Sequence, residues 1–264
     1  MKRSVNILIG ADLIFLSLLI LSGAFSGALS TFIYILAFAI AISFALISAK
    51  ATLNTEKYLL PLKNYDISLA LTPPTVLLVA SLSVVTTLIA SAFGVNAELS
   101  LGDSLPLALL EHALLPSLLE EILFRYVPLR ILPKTRHTVV ISSLFFALVH
   151  HSYLSFAYAF VAGCIFMAVD MISESVIPSI VMHLINNALS VLLTFYSDNI
   201  SVTLALVSLL TLLSVISVVY LFIKRRRFVS LLQSPRGGEE YGGQYEILML
   251  IAPSLVIATL ELFG

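Results

Sequence analysis

Two adjacent acids and an arginine, Glu120, Glu121 and Arg125, lie inside a long apolar segment. A charged side chain at the centre of a membrane helix costs about 2.5–3.5 kcal/mol on insertion scales, and such residues are by default candidates for function. Residues four apart share one face of a helix, so Glu121 and Arg125 are predicted to form an ion pair. Glu120 is rotated by about 100° from Glu121 and needs a partner from elsewhere.

Two further pairs of polar or aromatic residues have the same spacing on later helices. Phe146 and His150 are predicted to share one helix face, and His183 and Asn187 another. A carboxylate can take a proton from water, a histidine can help to hold that water, and histidine or asparagine N–H groups can stabilise an oxyanion. The set Glu120, His150, His183 and Asn187 is therefore suited to hydrolysis of a carbonyl compound, with Phe146 as a packing residue.

Neighbouring polar residues leave some alternatives open. His151 could take the place of His150, which the spacing from Phe146 favours. Asn186 is interpreted as a donor for hydrogen bonds between helices. Other polar residues are expected near the membrane interfaces or helix ends and are assigned no role: Asp12, Glu111, His112 and Asp170.

The same side chains could also bind a metal ion. Glu120, His150 and His183 are legitimate Zn²⁺ ligands, and catalytic zinc sites use three protein ligands and a water. The H-E-x-x-H motif of many zinc proteases is absent from the sequence. We therefore favour chemistry without a cofactor and keep zinc as the alternative.

The composition indicates which elements position these residues. Of the 264 residues, 59% are hydrophobic and only 11% are charged, and the mean hydropathy is +1.07. A soluble domain has about 25% charged residues. The sequence therefore predicts an all-α, polytopic transmembrane bundle that has the lipid bilayer as its surroundings.

Apolar runs long enough to span a bilayer predict eight or nine helices, about one for each run of 17–25 residues. Candidate spans are 7–29, 31–49, 74–95, 106–131, 137–153, 155–172, 176–196, 200–223 and 246–263. We expect residues 1–264 to form a single integral membrane domain, with a catalytic core at about 106–196 and a flexible cytosolic loop at about 228–244.

The basic residues orient the predicted bundle. If the N-terminus is cytosolic and nine spans alternate, all of the 14 lysines and arginines except Arg125 fall on the cytosolic side. Glu98, Asp103 and Asp198 fall on the other side. This distribution follows the positive-inside rule and supports the span count. The net charge of −1 indicates no nucleic-acid partner.

Three motifs in this order resemble those of a known family. "EEILFR" at 120–125 matches E-E-x-x-x-R, "FALVH" at 146–150 matches F-x-x-x-H, and "HLINN" at 183–187 matches H-x-x-x-N. They are similar to the motifs of the CAAX protease and bacteriocin-processing (Abi) family of intramembrane endopeptidases, which includes the type II CAAX prenyl endopeptidases.

The resemblance implies a role for each matched residue. Glu120 would activate water, which His150 shares. His183 and Asn187 would form the oxyanion hole, and Glu121 with Arg125 would support the site.

The resemblance also implies an intramembrane endopeptidase whose active site lies within the bilayer and opens toward the cytosolic side. The expected partner is a peptide or protein substrate, whether prenylated or membrane-bound, and the sequence does not identify it. Two alternatives are a proton-coupled secondary transporter and a catalytically silent scaffold of the same fold. The transporter is disfavoured because no inverted repeat is visible.

Overall fold

The computed structural model describes residues 2–50, 53, 62–92, 101–102, 104–150 and 153–233. Within these residues the chain forms helices and no strand, which confirms the all-α class. The helices, numbered here in chain order, are α1 (Lys2–Gly23), α2 (Ala28–Ser48), α3 (Tyr65–Ala92), α4 (105–131), α5 (Arg136–Leu148), α6 (Tyr153–Ser173), α7 (Ile177–Phe195), α8 (Ile200–Ile223) and α9 (Arg225–Gln233).

Six of these helices are long and apolar enough to cross a membrane: α1, α2, α3, α6, α7 and α8. Helix α4 is continuous over 105–131, while α5 has 13 residues and extends only about 20 Å, less than the hydrocarbon thickness of about 30 Å. The expected span 137–153 is therefore too long. The expected span at 246–263 and most of the expected loop at 228–244 lie outside the described residues.

Helix α3 begins nine residues earlier than the predicted start at residue 74, because two prolines do not end it. Pro73 and Pro74 lie inside the helix, although an internal proline removes a backbone hydrogen bond. The hydroxyl groups of Thr72 and Thr75 donate to the carbonyl oxygens of Ser68 (3.2 Å) and Leu71 (2.7 Å). These hydroxyl groups add hydrogen bonds on both sides of the carbonyl groups of residues 69 and 70, which lose their helical partners to the prolines.

Helix α4 contains two π-helical turns, Leu110–Leu114 and Ile122–Tyr126. Each turn is followed within two residues by a proline, Pro116 or Pro128. Since a proline clashes with the carbonyl group four residues before it, the wider turn accommodates the proline without ending the helix. π-turns occur frequently at functional sites, and the second one begins directly after Glu121.

Helix α4 packs against α7, and its second half also packs against α2. Phe15 of α1 contacts Phe38 of α2 and Phe124 of α4, with ring centroids 4.4 and 6.0 Å apart. The α1–α2 pair thus packs against the half of α4 that contains the acids. Helices α5 and α6 form a second pair, and α3 packs on α6, α7 and α8.

A glycine allows the close approach of α5 and α6. A Cβ atom at Gly163 would lie 2.9 Å from Cβ and 3.0 Å from Cα of Ser143. The sequence predicts this role for Gly163 with its small neighbours Ala159 and Ala162, which are 1% and 4% exposed. Small residues at helix interfaces permit such backbone contact in membranes.

We expect Gly163→Ala to destabilise the protein by about 1–3 kcal/mol, because the added methyl group must push backbone atoms apart. The measurement is thermal unfolding of the purified protein in detergent. Gly23→Ala is the matched control, since a Cβ at Gly23 meets no atom within 4 Å. Equal unfolding temperatures for the two variants would contradict the packing argument.

Three connecting segments meet at one end of the bundle. The Lys63 ammonium group lies 2.7 Å from the Glu174 carboxylate, between the start of α3 and the α6–α7 turn. Arg227 lies 2.7 Å from Asp66 and donates to Asn64 Oδ1 at 2.8 Å. The segments before α3, between α6 and α7, and after α8 therefore lie on the same side, as the predicted alternation of spans requires.

Candidate active site

The core of the site is a contact between α4 and α7. Nδ1 of His183 lies 2.8 Å from Oε1 of Glu121. The other carboxylate oxygen of Glu121 lies 3.3 Å from Nε of Arg125, and both of these side chains are 0% exposed. The predicted ion pair between Glu121 and Arg125 is therefore present, and His183 is a second partner of the same carboxylate.

Aromatic rings surround the buried guanidinium group. The Arg125 Cζ atom lies 4.4 Å from the ring centroid of Phe146 and 5.9 Å from that of Phe166. Nη1 of Arg125 donates to the Phe124 carbonyl oxygen at 3.1 Å. A cation over an aromatic face is attracted by the ring quadrupole, and more strongly when water is excluded. Arg125 is thus held by a carboxylate, a carbonyl group and two rings.

Glu120 points to different neighbours, as the helical rotation predicts. Its Oε1 accepts a hydrogen bond from the hydroxyl group of Tyr34 on α2 at 3.3 Å. Its Oε2 lies 3.9 Å from Nε2 of His183 and has no hydrogen-bond donor among the described residues. One oxygen of Glu120 is therefore anchored, and the other faces His183.

His150 and His183 flank a single phenyl ring. The ring of Phe146, 2% exposed, lies 4.7 Å from the His150 ring and 5.5 Å from the His183 ring, centroid to centroid. Nδ1 of His150 lies 2.7 Å from the Phe146 carbonyl oxygen. Since a carbonyl oxygen only accepts, Nδ1 must donate, and Nε2 of a neutral His150 is left as an acceptor.

A cavity of about 600 Å³ adjoins these histidines. His150, His183 and Asn187 line it, as does Phe146. Nδ2 of Asn186 donates to Oδ1 of Asn187 at 3.3 Å, which leaves the Asn187 amide N–H groups available to a ligand. Glu120 is not among the described residues that line the cavity. Its carboxylate lies next to His183, which does line it.

Two residues that were assigned no catalytic role also line this cavity. His112, which was expected near the interface and facing water, is one of them. Asn186 lines it as well and contacts its neighbour on the same helix instead of another helix. The π-turn at Leu110–Leu114 shifts the register of α4, which a regular helical pattern does not anticipate.

Asp170 lies near the end of α6, as expected, and is buried next to the start of α7. It is 0% exposed, and its Oδ1 accepts from the backbone N–H of Ser179 at 3.1 Å. The first backbone N–H groups of a helix have no partner within the helix, so Asp170 fixes the first turn of the helix that contains His183. Asp12 was also expected to be partly solvated, and it is 6% exposed.

The described residues contain no group of three or more histidine, cysteine, aspartate or glutamate side chains arranged to hold a metal ion. In this geometry Nδ1 of His183 faces Glu121 and Nδ1 of His150 faces a carbonyl oxygen. These contacts leave only Nε2 of each ring to bind a water molecule or a metal ion. That the reaction needs no metal stays a prediction.

Sequence reasoning did not identify Tyr34 or Phe166. Tyr34 is 86 residues from Glu120 in a span with no motif, and Phe166 is one aromatic residue among many. The only signal for Tyr34 was a polar hydroxyl group within an otherwise apolar run. The expected alternative His151 lies outside the described residues.

One comparison with known proteins finds a match. Residues 102–189 match the model of the family described as type II CAAX prenyl endopeptidase Rce1-like. The matched segment contains all three motifs, and the match confirms the resemblance that was inferred from them. No curated protein and no solved structure matches the chain. Together with the long apolar helices, the match indicates an integral membrane protein with a segment similar to a protease family.

Proposed function

Since residues 102–189 match the type II CAAX prenyl endopeptidase Rce1-like family, we propose that the protein is an intramembrane endopeptidase. The observation that supports this most directly is the position of His183. Its ring contacts Glu121 at 2.8 Å, lies 3.9 Å from Glu120 and lines the cavity. Two histidines and an amide thus line one space that can hold a peptide, and the Glu120 carboxylate lies next to one of these histidines.

In the proposed reaction Glu120 is the general base. Its Oε2 takes one proton from a water molecule, while Nε2 of His150 accepts the other hydrogen in a hydrogen bond. The water oxygen bonds to the peptide carbonyl carbon, and the carbonyl becomes an oxyanion. Glu120 then gives its proton to the leaving nitrogen as the C–N bond breaks, so the carboxylate is regenerated.

The oxyanion is stabilised by α7. Asn187 donates an amide N–H, and His183 donates from Nε2. Because Nδ1 of His183 donates to the ionised Glu121, Nε2 also donates only when the ring is doubly protonated. Glu121 and Arg125 therefore act on the reaction through the orientation and charge of His183, in agreement with their proposed supporting role.

The proposed substrate is a peptide or protein, and a prenylated carboxyl terminus is one specific form of it. The cavity of about 600 Å³ is in the size range of ligand pockets, about 300–1,000 Å³. Its wall combines the polar groups described above with apolar residues such as Val79, Ala162 and Phe166. This lining can accept a segment of peptide without a strong charge.

The test is cleavage of a peptide library by the purified protein in detergent, measured by mass spectrometry. The library contains prenylated and unprenylated peptides, and each reaction is run with and without a chelator. We expect cleavage that the chelator leaves unchanged. If the chelator abolished cleavage and Zn²⁺ restored it, the metal-free mechanism would be wrong and the zinc-dependent mechanism would be supported. Absence of cleavage from the whole library in lipid and in detergent would contradict the proposal.

Tyr34→Phe is expected to lower the cleavage rate about tenfold, because the hydrogen bond to a charged Glu120 is lost. The measurement is kcat and KM on the best peptide. We expect the change in kcat, since Tyr34 orients the base and does not line the cavity. Tyr220→Phe is the matched control, because it also removes a tyrosine hydroxyl from a carboxylate, that of Asp66 at 2.9 Å. Equal rates for both variants would exclude Tyr34 from the site.

A further inference from the structure

An apolar groove between α3, α6 and α8 shares no described lining residue with the active-site cavity. Its volume is about 440 Å³. Thr75 and Val169 are buried at its base, while Leu78 and Val218 are exposed at its rim. The Thr75 hydroxyl group donates to the Leu71 carbonyl oxygen within α3, so it leaves the groove without a free donor there. A groove of this kind is suited to a hydrocarbon chain.

The groove has about the depth of one membrane leaflet. It begins at the end of the bundle where Lys63 pairs with Glu174, and it follows α6 inward from Ile172 to Cys164. This step of eight residues corresponds to roughly 12 Å at 1.5 Å per residue, and half of the hydrocarbon core is about 15 Å. An acyl chain that enters from this end can therefore contact three helices, whereas a chain on a convex helix face contacts one.

Basic residues adjoin the mouth of the groove. Phe228, near the start of α9, is partly buried and lines the groove. The residues just before it, 223–227, line a second cavity of about 400 Å³, and all of them except Ile223 are lysine or arginine. A cavity with basic walls thus lies next to the apolar groove along the chain.

The positive charge at this mouth is not neutralised by the protein. The carboxylates of Asp66 and Glu174 pair with Arg227 and Lys63, each at 2.7 Å. The three basic residues at 224–226 are exposed and have no carboxylate partner among the described residues. A surplus of three positive charges therefore lies where the apolar groove reaches the membrane interface.

We infer that the groove and its basic mouth form a binding site for one anionic phospholipid. One acyl chain lies in the groove, and the phosphate group contacts Lys224, Arg225 and Arg226. Charged nitrogen donors form short, strong hydrogen bonds with phosphate oxygens, and basic pockets beside membrane helices attract anionic head groups. A zwitterionic lipid has the same chain and phosphate, but its own ammonium group compensates the phosphate charge and weakens the attraction. The site does not depend on the proposed peptidase activity.

Tryptophan fluorescence can test the site, because the chain contains no tryptophan. Leu78→Trp places a single reporter at the deep end of the groove, near the depth of a bromine atom on the middle of an acyl chain. The purified protein is placed in nanodiscs of unbrominated phosphatidylcholine that contain a small fraction of brominated phosphatidylglycerol or of brominated phosphatidylcholine. Bromine quenches tryptophan on contact, so the quenching measures how often each lipid occupies the groove.

The matched reporter is Ile216→Trp on α8. Ile216 is exposed and is rotated by about 200° from Val218, so it faces lipid away from the groove at a similar depth. We expect the tryptophan at position 78 to report a relative binding constant about tenfold higher for phosphatidylglycerol than for phosphatidylcholine. At position 216 the two lipids should quench equally.

Two variants in the Leu78→Trp background separate the head-group contact from the chain contact. Arg225→Gln with Arg226→Gln should abolish most of the preference for phosphatidylglycerol. Lys50→Gln with Arg136→Gln is the matched control, because it removes two exposed basic residues that line neither cavity. Ala168→Phe should fill the groove and reduce quenching by both lipids with all charges intact. Thermal unfolding verifies that each variant is folded.

Three results would overturn the inference. The first is equal quenching by the two lipids at position 78. The second is an unchanged preference after both arginines are replaced, or an equal loss of preference in the matched control. The third is a tryptophan at position 78 that neither lipid quenches while the one at position 216 is quenched, since protein would then fill the groove. None of these results depends on peptide cleavage, so they are distinguishable from a failure of the proposed function.

Discussion

Replacing Glu120 by glutamine is expected to lower the rate of peptide cleavage by about 10²–10⁴-fold, the usual contribution of a general base. Glutamine has nearly the same shape as glutamate, and its amide oxygen can still accept the hydrogen bond from Tyr34. It cannot take a proton from water. The loss should therefore appear in kcat, while the unfolding temperature in detergent changes little.

The control for this variant is Glu111→Gln on the same helix. Glu111 lies in the first π-turn, nine residues before Glu120, and is not among the described residues that line the cavity, so its replacement should leave kcat unchanged. Both variants are measured by mass spectrometry of the cleaved peptide and by thermal unfolding. Wild-type turnover in Glu120→Gln would show that Glu120 is not the general base. A large loss of stability would assign Glu120 a structural role instead.

Arg125→Met is expected to have the largest effect on stability, about 3–5 kcal/mol. Methionine fills similar space but leaves the Glu121 carboxylate, 0% exposed, without its guanidinium partner. Breaking a buried ion pair by removing one partner is strongly destabilising, because the remaining charge is not compensated. The contacts of Arg125 with the Phe146 and Phe166 rings are lost as well. The measurement is unfolding of purified protein in detergent.

A double variant separates charge from packing. Glu121→Gln with Arg125→Met removes both charges, so we expect it to be more stable than Arg125→Met alone. Arg130→Met is the matched control on the same helix, since Arg130 is partly buried and bonds to the Tyr126 hydroxyl at 3.1 Å. An effect of Arg125→Met no greater than that of Arg130→Met would contradict a buried, structurally required ion pair.

Local rules were enough for the helical class and for several contacts within one helix. Composition alone excludes a soluble domain, since so few charges cannot cover a water-exposed surface. The four-residue spacing of Glu121 and Arg125 predicts their ion pair, which the structure contains. The spacing of Phe146 and His150 predicts their contact, which is also present. These features depend only on helix geometry, which repeats identically wherever a helix forms.

Helix ends were predicted less well, because prolines and apolar runs do not by themselves decide where a helix ends. The prolines at 73 and 74 indicate a helix boundary, yet α3 continues through them from Tyr65. The apolar run 137–153 suggests a span, yet α5 ends at Leu148. In α4, wider turns absorb Pro116 and Pro128. Whether a proline ends a helix depends on which neighbours satisfy the backbone groups that it leaves free.

The sequence by itself determined that the protein is an all-α membrane bundle, that it has the three motifs of an endopeptidase family, and which residues could do the chemistry. Only the tertiary structure decided that His183 contacts Glu121, that Tyr34 anchors Glu120, and that Asp170 holds the start of α7. The physical reason is distance along the chain. A helix has a fixed internal geometry, but contacts between helices depend on how all of them pack together.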